Sequence, residues 1–110
     1  MPYIYEVSFA VESERMDELT ATRSLERVLG YLRALLPSEH GYVTSRVMRS
    51  IDDLARDRFV FFSEWGSWEA LDRHRRSMLL ESKVLAEFEP HVAADEMETR
   101  IYVEVGPEPY

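Results

Sequence analysis

The stretch FVFFSEWGSWEALDRHRRSM, residues 59–78, decides the fold that we predict for this chain. It opens with four apolar residues at consecutive positions, a pattern that indicates a strand buried on both faces. The strand is predicted to end at Trp65, followed by a tight corner at Gly66 and a helix that takes Ser67 as its N-cap. We therefore expect Trp65, Trp68 and His74 to lie near one another, at the mouth between a sheet and a helix.

The rest of the chain predicts three further strands and a second helical segment. Apolar and polar residues alternate over residues 3–11 and 97–105, as expected of strands with one apolar face. Another strand is predicted from 42 to about 49. Apolar residues recur at helical spacing over residues 13–37, from an N-cap serine to a terminating proline. The helix after the corner is predicted to continue or restart until Pro90 ends it.

The resulting order is strand, helix, strand, strand, helix, strand, with residues 51–57 as a polar loop between the second and third strands. Right-handed crossovers place the first and third strands side by side at the centre of one antiparallel sheet. This order predicts a ferredoxin-like α+β sandwich, a βαββαβ fold with a four-stranded antiparallel sheet. We expect one domain over residues 1–110.

The helices of such a fold cover one face of the sheet, and the chain has no element left for the other face. The third strand is nevertheless apolar on both faces. We therefore predict a homodimer in which the uncovered sheet face meets the same face of a second copy. The alternation leaves open which of Val60 and Phe61 faces the partner.

The composition excludes several classes of function. The formal net charge of −8 and the isoelectric point of about 4.8 argue against general nucleic-acid binding and against adsorption to an anionic membrane. The absence of Cys excludes disulfides, zinc–thiolate sites and thiol catalysis. The first ten residues lack the features of a signal peptide, and no apolar run approaches the ~20 residues of a membrane span. We expect a soluble cytoplasmic protein.

No motif for a metal or an organic cofactor is visible in the sequence. His40, His74 and His91 do not stand at the spacing of helical or strand metal ligands. The four glycines are not grouped into a phosphate-binding loop, and no flavin or nicotinamide motif is present. The prediction is a protein without a metal and without a cofactor.

The segment EWGSWEALDRHRRS resembles the signature segment of the antibiotic biosynthesis monooxygenase-like family. In that family a strand ends in Trp, a Ser follows shortly after, and the helix carries a His near its middle. Here those residues are Trp65, Ser67 and His74. The resemblance implies a homodimer whose two sheets form a dimeric α+β barrel. For some members it implies oxidation of aromatic polyketides by oxygen without a metal or a flavin. The haem-degrading members use an Asn on the first strand, and this chain contains no Asn.

Three side chains are candidates for a site, and two of them, His74 and Trp65, are expected at the corner. His74 is the candidate catalytic residue, as a base or hydrogen-bond donor toward a phenol or quinol, because imidazole titrates near neutral pH. Its alternative is a solvent-facing position among neighbouring arginines. Trp65 is a candidate wall of an aromatic substrate pocket, and its alternative is simple packing between the strand and the helices. Tyr5 is the third candidate, as a substrate-binding residue.

Arg46 is a fourth candidate for substrate binding. It lies in the second strand with the parity of Tyr42 and Met48, and a charge on an otherwise apolar face is unusual. Two partners are equally expected for this guanidinium: a carbonyl group of a ligand, or a carboxylate of a partner chain.

Two functions stay open at this point. The first is a cofactor-independent oxygenase acting on a phenolic or polycyclic, quinol-type aromatic small molecule, whose deprotonated form supplies the electrons in a dry pocket. The second is a non-catalytic homodimer of the same barrel fold that binds a small molecule or has a structural role. An enclosed cavity reached by Trp65, His74 and a cation favours the first, whereas a filled core with His74 in solvent favours the second.

Overall fold

The computed structural model describes residues 2–12, 18–50, 56–88, 92 and 96–105. In chain order its elements are β1 (Tyr3–Glu12), α1 (Glu18–Leu35), β2 (Tyr42–Arg49), β3 (Arg56–Trp65), α2 (Trp68–Ser77), α3 (Leu79–Phe88) and β4 (Glu98–Val103). A 3-10 turn over Leu36–Ser38 follows α1. The predicted order of strands and helices is confirmed.

The predicted ends of the elements agree closely with the structure. Helix α1 ends at Leu35, and Pro37 lies in the 3-10 turn that follows. Strand β3 ends at Trp65, as predicted. Residues 56 and 57 were expected in a loop, but they belong to β3, because its pairing with β1 runs to the end of that strand. Three predicted features lie outside the described residues: the N-cap at Ser13, the loop residues 51–55 and the helix end at Pro90.

The described strands form one antiparallel sheet in the order β2-β3-β1-β4. The central pair is β1 and β3, as the right-handed crossovers predict. Strand β1 also pairs with β4, from Tyr3 opposite Val103 to Ser8 opposite Glu98. The fold is therefore the predicted ferredoxin-like α+β sandwich with a four-stranded sheet.

One face of the sheet packs against the helices and forms the hydrophobic core. The odd-numbered residues of β1 and β3 point to this face, because alternate residues of a strand share one face. The largest fully buried side chains of the core are Trp65, Phe9, Phe88, Leu71 and His74.

The opposite face of the sheet is not covered by any described element, and we call it the open face. Val60 and Phe62 of β3 lie on it and are half-buried, whereas Phe61 is 3% exposed against the helices. Ile4 pairs across the sheet with Tyr102, which is exposed on the same face. Val60, rather than Phe61, is therefore the residue that points away from the helices.

Several of the charges on the open face, but not that of Arg46, are paired with other described residues. Arg58 donates hydrogen bonds to Oγ of Ser8 and to Oε2 of Glu98, each at 2.6 Å. The hydroxyl group of Tyr102 donates to Glu6 at 3.1 Å. Because these groups already have partners, an element or chain that covers this part of the face does not leave them buried and unpaired.

Helices α2 and α3 are separated by a single residue. Met78 adopts the left-handed conformation with φ of 55°, and its N–H bonds to the carbonyl of Arg75 to close α2. The N–H of Ser82 then bonds to the carbonyl of Met78 within the first turn of α3. Of the two alternatives predicted for this segment, the helix restarts.

Candidate functional site

The corner between β3 and α2 is held by the predicted N-cap. Oγ of Ser67 accepts a hydrogen bond from the backbone N–H of Ala70 at 3.2 Å. The N–H of Gly66 donates to the carbonyl oxygen of Gly41 at 2.8 Å, so the corner is also tied to the turn before β2. Helix α2 therefore leaves the sheet at a fixed point, and about two turns later its buried face carries His74.

The imidazole ring of His74 is buried against two aromatic rings. It stacks on Trp65, with ring centroids 4.6 Å apart and an interplanar angle of 25°. It meets the ring of Tyr5 edge to face, with centroids 5.8 Å apart. His74 is only 2% exposed, so the alternative of a solvent-facing residue is wrong. Arg75 and Arg76 form ion pairs with Asp72 outside the core. Trp68, which was expected near the imidazole ring, is instead 41% exposed and packs edge to face on Tyr3.

A carboxylate contacts the ring of His74 at its Nδ1 atom. Oε2 of Glu39 lies 3.1 Å from Nδ1, and Oε1 lies 3.4 Å from it. A carboxylate only accepts hydrogen bonds, so Nδ1 carries the hydrogen in this contact. The backbone of Glu39 is held by the turn, because its N–H donates to Leu36 and its carbonyl accepts from the N–H of Tyr42. The Glu39 side chain is 26% exposed, so the pair lies at the rim of the core.

A buried carboxylate, that of Glu81, binds the phenol of Tyr5. The hydroxyl group donates to Oε1 of Glu81 at 2.7 Å, and both side chains are buried. Burial raises the pKa of the Tyr5 phenol well above its usual range, and the hydrogen bond and negative charge of Glu81 raise it further against a smaller opposing effect of Arg75. Tyr5 is therefore a neutral hydrogen-bond donor over the physiological pH range.

A partly enclosed cavity of about 230 Å³ lies beside His74, between α1 and the β2–β3 side of the sheet. Its apolar walls are formed by Leu29, Leu32, Leu36, Val47, Phe61 and Leu80. Its polar lining is formed by His74, Ser45, Ser63, Arg33 and Arg46. The cavity thus brings the imidazole of His74 and the α1 residue Arg33 to a largely apolar space, which suits an aromatic ligand with an acidic hydroxyl group.

The four predicted site residues divide into two pairs. His74 and Arg46 line the cavity. Trp65 and Tyr5 pack against the imidazole from other sides and are not part of the lining, and the indole Nε1–H of Trp65 donates to Oγ of Ser63 at 2.9 Å. The structure therefore places Trp65 and Tyr5 where they support the ring, and their direct contact with a substrate stays a prediction.

Arg46 lies on the open face by its register. Arg46 and Met48 pair with the open-face residues of β3, so their predicted shared parity is confirmed. The predicted parity with Tyr42 is wrong, because the register shifts between Tyr42 and Thr44 and inserts one extra residue. Tyr42 therefore pairs with Trp65 and packs its ring on the indole, with centroids 5.8 Å apart.

The open face carries a second depression, of about 360 Å³, next to the edge of the sheet. Its walls include Ile4, Thr44, Arg46, Met48, Phe62 and Glu64. Arg46 lines both this depression and the cavity beside His74. A ligand carbonyl and a partner carboxylate therefore both stay available to its guanidinium, as predicted from the sequence.

Three residues of this site escaped prediction from the sequence. Glu39 contacts a residue 35 positions away, Glu81 one that is 76 positions away, and Arg33 reaches the cavity from the last turn of α1. Each is an ordinary charged residue in a helix or turn, so no local pattern distinguishes it. The one available signal is Gly41, since a glycine next to a turn indicates a close approach of the backbone to another element.

The part of the chain that the structure describes offers no metal-binding cluster and no membrane-spanning helix. Within it, no group of three or more His, Asp or Glu side chains could hold a metal ion. None of the helices found there is long and apolar enough to cross a membrane.

The family model of antibiotic biosynthesis monooxygenases matches residues 2–96. This range includes every residue of the site around His74. The chain belongs to the antibiotic biosynthesis monooxygenase family. No protein with a curated description matches the sequence.

Solved structures of the same fold include proteins with and without a known activity. SnoaB, a cofactor-independent oxygenase from Streptomyces nogalater, is 14% identical over 100% of both chains, with a TM-score of 0.63. The monooxygenase from the gene ActVA-Orf6 of Streptomyces coelicolor, in complex with nanaomycin D, is 15% identical over 98% of this chain and 91% of that chain, with a TM-score of 0.68. A dimeric ferredoxin-like protein of unknown function from Jannaschia sp. is 17% identical over 93% of this chain and 99% of that chain, with a TM-score of 0.63. Identities this low show the shared fold alone.

Proposed function

We propose that this family member is a cofactor-independent oxygenase for a phenolic, quinol-type aromatic small molecule. The observation that carries the proposal is the cavity lined by a buried imidazole and by Arg33. A filled core with His74 in solvent was the arrangement expected of a non-catalytic protein, and the structure has neither feature. The family and the two oxygenases among the similar structures support the reaction class.

The proposed chemistry begins with a proton transfer. His74 accepts the proton of the phenol, and the positive charge of Arg33 favours the phenolate that forms. The electron-rich phenolate then reacts with dissolved oxygen. One oxygen atom becomes a carbonyl of the product and the other leaves as water, so a phenol and O₂ give a quinone and water. All four electrons taken up by oxygen come from the substrate.

The size of the cavity restricts the substrate. Its volume of about 230 Å³ lies below the ~300–1,000 Å³ of pockets that enclose drug-sized ligands. Of the phenolic and polycyclic compounds considered from the sequence, the compact ones therefore fit better than extended polycycles.

A second candidate function is non-catalytic binding of a small aromatic compound. The observation that favours it is the position of Trp65 and Tyr5, which do not line the cavity. The aromatic walls are thereby reduced to Phe61 and Phe62. Such a site binds an apolar ring with less stacking surface than the sequence predicted.

We also propose that the protein is a homodimer through the open face. Val60, Phe62 and Ile4 form a half-buried apolar centre on this face, which no described element of the same chain covers. The similar Jannaschia protein is dimeric. The proposed barrel consists of the two open faces packed on each other.

The test of the oxygenase proposal is oxygen uptake by the purified protein with a panel of small quinols and naphthols, in the presence of a metal chelator. We expect His74→Ala to lower turnover by ~10²–10⁴-fold, the contribution of a positioned general base. His40→Ala is the matched control, because His40 is exposed in the turn before β2 and should keep wild-type turnover. The product should be a quinone that carries one oxygen atom from labelled O₂.

A stability control accompanies this assay. His74 is buried and stacked on Trp65, so its truncation to Ala should cost on the order of 2–4 kcal/mol of unfolding free energy. His74→Gln keeps a polar side chain of similar size and is expected to stay folded. Wild-type turnover in folded His74→Gln would remove the catalytic role. Saturable quenching of Trp65 fluorescence in a Trp68→Phe background, without oxygen uptake, would favour the binding function.

A further inference from the structure

We propose that Glu39 is a positioning residue, which holds the Nδ1 proton of His74 and leaves Nε2 facing the cavity as the proton acceptor. Its effect on turnover rests on the proposed function. The protonation pattern that it imposes on the ring does not.

The two nitrogen atoms of the imidazole differ in their hydrogen bonds. The hydrogen bonds that the ring of His74 makes to described residues are both at Nδ1, to the two oxygens of Glu39. Among the described residues, no fully buried side-chain nitrogen or oxygen atom lacks a hydrogen-bond partner. Nε2 has no hydrogen bond to another described residue, and the ring that carries it lines the cavity. Since a neutral imidazole carries one donor and one acceptor, hydrogen on Nδ1 leaves the acceptor at Nε2.

The backbone around Glu39 is built to hold this contact. Gly41 has a positive φ of 86°, and a Cβ atom at that position would lie 2.4 Å from the Cβ of Ala70 in α2. The turn thus reaches α2 so closely that only glycine fits. Ala70 stands about one helical turn before His74. The carboxylate of Glu39 is carried to the imidazole by a segment locked against the same helix.

The other charged and titratable groups near the imidazole form no hydrogen bond with the ring nitrogens among the described residues. Tyr5 of β1 presents its ring edge, and its hydroxyl group is taken by Glu81 of α3. Arg33 of α1 and Arg46 of β2 line the cavity and form no ion pair with another described residue. Within the described part of the chain, Glu39 is thus the side chain that hydrogen-bonds the ring.

The consequence is a defined proton transfer. Nε2 takes the proton of the phenol, the O–H bond breaks and an N–H bond forms, and the electron pair stays on the phenolate oxygen. The imidazolium that results lies 3.1 Å from the Glu39 carboxylate, which stabilises its positive charge. Without this carboxylate the ring is free to carry its hydrogen on Nε2. In that tautomer Nε2 cannot accept the proton of the phenol.

The first measurement uses nitrogen-15 NMR of the neutral imidazole in the full-length protein, which distinguishes hydrogen on Nδ1 from hydrogen on Nε2. We expect hydrogen on Nδ1 of His74 in the wild type and a shift toward Nε2 in Glu39→Ala. Glu39→Gln keeps an acceptor oxygen at the same reach and should restore the wild-type pattern. Glu26→Ala is the matched control, since Glu26 is exposed on α1 and its removal should leave the ring unchanged.

The second measurement is the turnover of the same variants. We expect Glu39→Ala to lower kcat by about tenfold or more, with a smaller change in KM. The upper limit of this loss is the ~10²–10⁴-fold that the general base itself supplies. Hydrogen on Nε2 in the wild type, or an unchanged ring spectrum in Glu39→Ala, overturns the proposal. Wild-type kcat in Glu39→Ala also overturns it. If the wild type oxidises no quinol, the proposed oxygenase function fails, and the NMR result still decides the role of Glu39.

Discussion

The surroundings of one residue, Tyr5, predict a measurable pH dependence of the folding stability. Burial and the hydrogen bond to Glu81 raise its pKa above the ordinary value. In the unfolded chain the phenol ionises near its ordinary pKa, whereas in the folded chain it keeps its proton to higher pH. Its contribution to stability is thus fully present below the ordinary pKa and is lost as the pH rises toward the raised one.

We predict that Tyr5 resists ionisation in an alkaline absorbance titration of the folded protein. Tyr5→Phe should remove this delayed step and destabilise the fold by ~1–3 kcal/mol, because the buried Glu81 loses its hydrogen-bond donor. Tyr31→Phe is the control, since the hydroxyl group of Tyr31 has no hydrogen bond to a described residue. Denaturation of Tyr5→Phe with the same pH dependence as the wild type would contradict the prediction.

At the scale of elements, the turn between α1 and β2 depends on Gly41. This residue combines a positive φ with a close approach to Ala70 of α2. The left-handed backbone conformation costs an L-residue about 1–2 kcal/mol. The 2.4 Å contact between the added Cβ atom and the Cβ atom of Ala70 adds to that cost. The same turn carries Glu39 and accepts the hydrogen bond from the corner at Gly66.

We predict that Gly41→Ala lowers the free energy of unfolding by at least ~2 kcal/mol, measured by chemical denaturation. Gly66→Ala is the matched control, because its φ is not positive and the nearest atom to its added Cβ lies at 3.7 Å. That change should stay within ~0.5 kcal/mol. Equal stabilities of the two variants would show that the turn can move away from α2.

At the scale of the whole molecule, the open face decides the assembly. Its apolar centre contains Val60 and Phe62, and its charged residues Arg58 and Glu98 are already paired. A face with an apolar centre and internally paired charges suits packing against a second copy of itself. Because Val60 lies on this face, a charged residue at this position tests the predicted homodimer.

We predict that the wild type sediments as a dimer at micromolar concentration and that Val60→Glu dissociates or aggregates it. A carboxylate buried in an apolar interface without a partner costs several kcal/mol, enough to shift the association equilibrium. Ala34→Glu adds the same charge at an exposed position of α1 and should leave the dimer intact. A monomeric wild type, or a dimeric Val60→Glu, would sink this proposal.

The elements and their order were determined by the sequence alone, because they depend on local patterns. The alternation in β1 and β4, the leucine spacing of α1 and the Ser67 cap each act over a few residues, and the structure confirms all of them. The proximity of Trp65 and His74 followed for the same reason, since one corner and two helical turns separate them.

Only the tertiary structure decided which side chains complete the site and which face each one occupies. Glu39 and Glu81 reach their partners across 35 and 76 positions, and no local pattern encodes such contacts. The irregularity after Tyr42 changed the face of that residue, because one inserted residue reverses a period of two. The burial of His74 depended on where α2 crosses the sheet. The spacing of its helix is compatible with either exposure, and the packing of Trp65 and Tyr5 around the imidazole selects the buried one.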